Sequence, residues 1–150
     1  MIKNYKALLN KILTQEELTK TCNTFSNEQE FVNYLLSLPI INRHDWADES
    51  MERPIHAFIN KRLKTFGLDT PKLERKTYWD NFKKYKPYPK RGDWMIYALA
   101  CYDSSIKKLG YRLVLADLFD DTYRIMVLEK VNATKLLQIK SELISFKYVN

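Results

Sequence analysis

The feature that most constrains the fold is one β-hairpin that lies between helical segments in the C-terminal half of the chain. Residues 111–118 alternate weakly between apolar and polar types, and residues 122–129 have a composition typical of a β-strand. Phe119, Asp120 and Asp121 supply hairpin turn chemistry between them. Because helical patterns precede and follow this pair, a doubly wound α/β sheet is not expected. We predict an α+β fold in which several helices pack on a small antiparallel sheet containing this C-terminal β-hairpin, followed by a final helix.

Capping patterns predict where the helices begin and end. After a first helix at residues 2–13, the segment Thr14–Glu17 has the capping-box pattern, in which the Thr hydroxyl accepts an amide hydrogen bond and the Glu side chain reaches back. Residues 26–29 repeat that signature for a third helix. Further helices are expected from about Met51 or Pro54 to Phe66 with Gly67 after its end, from a cap at Asp93 to Leu109, and from a cap at Asn132 to about Phe146.

The length of 150 residues fits a single domain over residues 1–150, which can bury a core without help from a metal or a disulfide. Cys22 and Cys101 are the two cysteines, and they match neither a disulfide framework nor a zinc pattern. The N-terminal residues lack the apolar segment of a signal peptide, and no stretch approaches the length of a membrane span. We therefore expect a cytoplasmic protein with no membrane partner.

The positive charge is concentrated in one part of the chain. Of the net charge of +7, residues 72–91 carry eight positive against two negative side chains, which amounts to +6. They lie in a basic aromatic connector, residues 68–92, which prolines interrupt and in which a short helical turn at about residues 78–84 is expected. Lysines and arginines alternate there with five aromatic residues, namely Tyr78, Trp79, Phe82, Tyr85 and Tyr88, which suits an acidic protein partner or the phosphates and bases of a nucleic acid. A solvated connector whose aromatic rings pack onto the core explains the same composition.

Catalytic patterns are weak in this sequence. Asp117, Asp120 and Asp121 offer carboxylates around one turn, which makes them weak candidates for metal binding, but turn aspartates commonly cap nearby amides. His44 and His56 have no third zinc ligand in sight. The phosphate-binding glycine loops and the nucleophile elbow are missing. We therefore expect no catalytic residue and no cofactor, with an uncharacterised small enzyme as a remote alternative.

Two stretches resemble a known group of proteins. One is the segment Asp45–Glu49, with the letters Asp-Trp-Ala-Asp-Glu, and the other runs from Leu109-Gly110 through the strand to Asp117 and on to Asp120-Asp121-Thr122-Tyr123. Together they resemble a family of small standalone bacterial proteins of unknown function. Its members have a Trp-Lys-Asp-Glu-like segment, a helix ending in Gly, a strand, an Asp-Ser-Asp-Ser-Tyr-like turn and a final strand.

The resemblance covers residues 45–130 and implies a fold. Phe119 stands where that family has a small residue, and Thr122 stands where Ser is usual. Lys-rich single-domain bacterial proteins without catalytic motifs also resemble immunity proteins, which bind and block a toxin without chemistry of their own. The family resemblance implies no activity, whereas this second, general resemblance to immunity proteins implies a binding protein whose partner is a cognate toxin.

These observations lead to one main hypothesis and, besides the small enzyme, one alternative. The main hypothesis is a non-enzymatic protein-binding module of the kind of a toxin-neutralising immunity protein. The alternative is a nucleic-acid-binding protein that uses residues 72–91. Residues expected to contact the partner come from the basic connector and from the acidic segment before the helix at residue 54; they are Arg75, Trp79, Lys83, Lys84, Tyr85, Asp45, Trp46, Asp48 and Glu49.

Overall fold

The computed structural model describes residues 2–21, 24–45, 52–69, 71, 75–88, 90 and 92–149. Within them, seven helices surround one antiparallel sheet of four strands, so the predicted α+β class is confirmed. The helices are α1 Tyr5–Ile12, α2 Gln15–Thr19, α3 Glu28–Ser37, α4 Glu52–Thr65, α5 Arg75–Tyr85, α6 Asp93–Lys107 and α7 Lys130–Leu136. The strands are β1 Asn42–Asp45, β2 Tyr111–Asp117, β3 Thr122–Glu129 and β4 Ser145–Tyr148, and they lie in the order β1-β3-β2-β4.

The central strands are covered on both faces. On one face, the side chains at even positions of β2 and β3, such as Val114 and Met126, pack with α1, α3 and α7 in one apolar cluster. On the other face, Leu113 and Leu115 join Ile125 in a second cluster with α4 and α6. A strand with both faces buried has no need of polar side chains on alternate positions. This explains why alternation in residues 111–118 is weak.

The predicted hairpin is confirmed. Strands β2 and β3 pair antiparallel, with Val114 opposite Met126 and Leu115 opposite Ile125. In the turn between them, the side chain of Asp117 accepts a hydrogen bond from the amide of Phe119 at 2.8 Å, and Asp120 accepts one from the amide of Thr122 at 3.1 Å. These two bonds are the local caps that aspartate is expected to supply in a turn.

The extent predicted for the final helix is wrong, because the helix ends at Leu136 and the strand Ser145–Tyr148 follows it. Helix α7 begins at Lys130, before the expected cap Asn132, and ends at Leu136. After it, the hydroxyl of Ser141 accepts hydrogen bonds from the amides of Leu143 and Ile144, which forms a turn. Strand β4 then pairs with β2 on the side away from β3, where it satisfies backbone groups of β2 that β3 does not reach.

Strand β1 was not predicted from the sequence. Residues 42–45 pair with β3, with His44 opposite Tyr123 and Asp45 opposite Thr122. The strand has little β character of its own, since its letters are Asn-Arg-His-Asp. Pairing with the outer edge of β3 therefore creates this strand.

Several helix ends follow the local patterns, with small shifts. The Thr14–Glu17 capping box forms as predicted, and Gly67 after α4 has the expected positive φ of 75°. The cap of α3 is Asn27, the second residue of the predicted signature, because its side chain accepts from the amide of Glu30. The residue before α6 is Gly92, and Asp93 is the first residue of that helix.

Candidate partner-binding surface

Helix α5 extends over residues 75–85, so the basic connector contains a longer helix than the short turn expected there. The buried ring of Phe82 attaches this helix to α6. Its centroid lies 5.2 Å from that of Trp94 in an edge-to-face arrangement and 4.9 Å from that of Tyr97. Such aromatic pairs stabilise a contact beyond the area they bury. The C-terminal turns of α5 are therefore held against the first turns of α6.

The short link between α5 and α6 is held by Asp93. Its carboxylate accepts a hydrogen bond from the amide of Lys90 at 2.8 Å. It also forms a salt bridge with Lys86, whose Nζ lies 3.2 Å away. The hydrogen bonds from the Lys90 backbone amide and from the Lys86 side chain lower the pKa of Asp93 below its ordinary value. Gly92 has a φ of 91°, a left-handed conformation that disfavours residues with a side chain. The chain can turn sharply there into α6.

Large apolar side chains are left exposed around this junction. Tyr85 is 76% exposed, Tyr88 is 89% exposed and Ile96 on α6 is 50% exposed. Between the helices lies a groove of about 440 Å³. Its lining consists of apolar and aromatic side chains and one ion pair, namely Phe82, Tyr85, Lys86, Asp93, Ile96, Tyr97, Ala100 and Val149. We call this feature the α5–α6 groove.

Further positive charge lies on α5 and on the link that follows it. Lys83 and Lys84 lie exposed on the same helical turn that carries Phe82 and Tyr85, and Lys90 is exposed after it. Asp80 is an exposed carboxylate one turn earlier. The exposed residues Lys83, Lys84, Tyr85, Tyr88 and Ile96 are together called the basic aromatic face below.

The structure places part of the predicted binding set on one helix. Lys83, Lys84 and Tyr85 are consecutive exposed residues of α5. Arg75 and Trp79 belong to the same helix, but their side chains lie outside the described part of the chain.

The acidic part of the predicted set is mostly outside the described residues, since Trp46, Asp48 and Glu49 are among those not described. Asp45 is described and exposed at the end of β1. Strand β1 forms one edge of the sheet, whereas Val149 of the groove follows β4 at the other edge. Asp45 is therefore not part of the α5–α6 groove.

Sequence reasoning missed the residues that α6 and the C-terminal segment contribute to the groove. Residues 94–102 are all apolar or aromatic, which is typical of a buried helix, yet Ile96 is half exposed. Ala100 and Val149 carry no chemical signal of their own, and they join the groove only because distant segments meet there. Tyr88 was noted among the aromatic residues of the connector, and its high exposure could not be predicted from its type.

The aspartates of the β2–β3 turn are engaged with cations. Asp120 forms a two-pronged ion pair with Arg124, with both N–O distances 2.8 Å, and this pair lowers the Asp120 pKa to about 2. Asp117 accepts from Lys147 Nζ at 2.6 Å. Burial raises the pKa of Asp117, but hydrogen bonds from Lys147 and the Phe119 amide outweigh this, so the net shift is downward.

These residues line a pocket of about 250 Å³ that also contains Asp121 and Tyr123. Across the described residues, no three histidine, cysteine, aspartate or glutamate side chains are grouped so that they could hold a metal ion. Because Arg124 and Lys147 already neutralise two of the three carboxylates, the turn is better explained as a structural ion-pair network.

The two histidines differ in their exposure to solvent. His44 is buried in β1, and His56 is exposed on α4 with its ring centroid 6.1 Å from that of Tyr102.

In the described portion, no helix has both the length and the apolar character needed to cross a membrane.

Comparison with known protein families, curated proteins and solved structures found no match to this chain. The resemblance of residues 45–130 to a bacterial family therefore stays a hypothesis.

Proposed function

We propose that this protein is a non-enzymatic protein-binding module that binds an acidic protein partner through its basic aromatic face. The observation that carries the proposal is the exposure of Tyr85, Tyr88 and Ile96 beside Lys83 and Lys84. Tyrosines account for a large share of binding energy at protein interfaces, and clustered exposed apolar side chains mark interaction sites.

The charge of the face supports an acidic partner. Lysines at the rim of an interface attract a partner of opposite charge and speed its association, while they contribute less to the final affinity. The apolar groove beside them would supply the part of the contact that excludes water. This division of roles is the one found in many protein complexes.

The resemblance to immunity proteins makes a cognate bacterial toxin the proposed partner class. Such a protein would act in the cytoplasm and would need no cofactor, because it blocks its partner by covering it. This part of the proposal depends on the resemblance and is tested separately from binding itself.

Protein capture with matched charge variants tests the binding proposal. The wild type, a Lys83→Glu/Lys84→Glu variant and a Lys107→Glu/Lys108→Glu control would be immobilised and exposed to nuclease-treated lysate of the native host at moderate salt. The control reverses the same number of exposed charges at the other end of α6, about 20 Å from Asp93 at 1.5 Å per residue.

We expect one stoichiometric protein on the wild type and on the control, and its loss from the Lys83→Glu/Lys84→Glu variant. Equal capture by all three proteins would contradict the proposed face. Binding that nuclease treatment removes would instead support the nucleic-acid alternative. A captured protein that arrests growth when expressed alone, and is harmless when coexpressed with this chain, would support the toxin hypothesis.

A further inference from the structure

We infer that the α5–α6 groove receives one apolar anchor side chain from an acidic segment of the protein partner. This inference rests on the proposed function and makes it more specific, because it names the recognition element that the partner must carry. That element is an aromatic or long aliphatic residue with carboxylates on both sides.

The groove is large enough to receive an anchor side chain. Its volume of about 440 Å³ lies in the range of roughly 300–1,000 Å³ that ligand pockets occupy. Phe82, Ala100 and Val149 line it with carbon, and the exposed parts of Tyr85 and Ile96 flank it. An anchor seated there would cover apolar surface that is now in contact with water, which favours binding.

The charges near the groove favour carboxylates beside the anchor. Lys86 lines the groove and is paired with Asp93, so this lysine is already held in position. Lys83 and Lys84 are exposed on the turn that carries the groove residues, and Lys90 is exposed on the link. Acidic residues next to the anchor would meet these ammonium groups, and basic residues there would be repelled.

The same features favour a protein segment over a nucleic acid. Single-stranded nucleic acid needs ring faces on which bases can stack. The ring of Tyr97 is partly covered by its neighbours, since it lies 4.9 Å from Phe82 and stacks with Tyr85 at 6.4 Å, so the exposed rings for stacking are those of Tyr85 and Tyr88. The groove itself is lined by aliphatic carbon of Ile96, Ala100 and Val149, which an apolar side chain covers and a sugar-phosphate backbone does not.

A peptide library tests the inference directly. Phage-displayed 12-residue peptides, rich in Asp and Glu with four random central positions, would be selected on the wild-type protein. The selected peptides would then be synthesised and their affinities measured by fluorescence anisotropy. The anisotropy would also be measured for a labelled single-stranded DNA oligonucleotide.

Two variants alter the groove without altering its charge. Ala100→Trp fills the groove with a large ring, and Ile96→Ser removes an apolar contact at a half-exposed position where folding is not at risk. Val131→Ser on α7 is the matched control, because Val131 is also an exposed aliphatic side chain. Thermal unfolding of each variant would confirm that it is folded.

The expected result is a consensus with a central aromatic or aliphatic residue between carboxylates. Ala100→Trp and Ile96→Ser should each weaken binding about tenfold or more, the size expected when an anchor loses its pocket, while Val131→Ser leaves it unchanged. Replacing the central residue of the peptide by Ser should cause a similar loss.

The inference would be overturned by a consensus without an apolar residue, by a failure to enrich any peptide, or by tighter binding of the oligonucleotide than of the peptides. The variants add two further tests. If both groove variants keep full affinity but Lys83→Glu/Lys84→Glu loses it, the groove inference fails while the proposed basic aromatic face stands. If all variants bind equally, both proposals fail.

Discussion

The carboxylate of Asp103 on α6 and the guanidinium of Arg112 on β2 form a buried ion pair. Asp103 Oδ2 accepts from Arg112 Nη2 at 2.8 Å, Oδ1 accepts from Nε at 3.0 Å, and Oδ1 also accepts from the amide of Leu113 at 2.7 Å. The guanidinium carbon lies 3.7 Å from the ring centroid of Tyr148. One charged pair thus connects α6, β2 and β4, and the hydrogen bond to Asp103 raises the pKa of Arg112.

Removing one partner of this pair should destabilise the protein strongly. Asp103→Ala leaves the buried Arg112 without its counter-charge, which typically costs about 3–5 kcal/mol. Urea unfolding followed by circular dichroism measures the loss. The double variant Asp103→Leu/Arg112→Met, which removes both charges, should recover much of it. A loss below about 1 kcal/mol in Asp103→Ala would show that the pair is not important for stability.

The contact between α5 and α6 should depend on Phe82. Phe82→Ala removes a buried ring and should cost about 3 kcal/mol or more in the free energy of unfolding. Amide hydrogen exchange should become faster across residues 75–85, because the helix loses its packing on Trp94 and Tyr97. Tyr85→Ala on the same helix is the control. It should change stability by no more than about 0.5 kcal/mol, since Tyr85 is largely exposed.

Acid should weaken the ion pair between Asp120 and Arg124. The pKa of Asp120 is lowered from 3.8 to about 2 in the folded protein, so its stabilising contribution is complete above pH 4. It is lost as the pH falls from about 4 to about 2. The contribution should be below about 1 kcal/mol, because the side chain of Asp120 is 46% exposed.

Carbon-detected NMR titration of the Asp120 carboxylate checks this prediction. Arg124→Met should return the pKa of Asp120 toward 3.8, because it removes the largest cause of the shift. Asp120→Asn should flatten the pH dependence of stability below pH 4. An unchanged titration in Arg124→Met would contradict the assignment.

At two positions with a positive φ, glycine should make the protein more stable than a residue with a side chain does. Phe119 has a φ of 62° and is 65% exposed, so Phe119→Gly removes left-handed strain and little buried surface. We expect it to stabilise the protein by about 0.5–1 kcal/mol. Gly110 has a φ of 85° with open space around it, so Gly110→Ala should cost about 1 kcal/mol through the backbone alone. Thermal unfolding of both variants measures the two effects, and a destabilised Phe119→Gly would mean that its ring makes a stabilising contact.

Local patterns were the most successful basis for prediction. The Thr14–Glu17 capping box involves atoms three residues apart: the Thr14 amide donates to Glu17 Oε2 at 2.9 Å, and the Glu17 amide donates to Thr14 Oγ1 at 3.2 Å. The positive φ of Gly67 is equally local. Interactions of this range are present in the sequence itself, because no distant segment is needed to form them.

The C-terminal segment shows why other predictions were wrong. The apolar spacing of Leu136, Ile139 and Leu143 fits a helix, but the same residues pack into the core on one face of the sheet in a helix followed by a turn. Strand β4 is defined by Asp117 lying opposite Ser145, a partner 28 residues earlier. No local pattern contains that information.

The sequence by itself determined the α+β class, the central hairpin, several helix ends and the concentration of charge in residues 72–91. Each of these depends on residue type or on neighbours within a few positions. The tertiary structure decided that β1 and β4 extend the sheet and that Phe82, Ala100 and Val149 meet in one groove. The physical reason is that an edge strand forms by hydrogen bonding to the backbone of its partner strand. A groove, likewise, forms where segments far apart in the chain pack together.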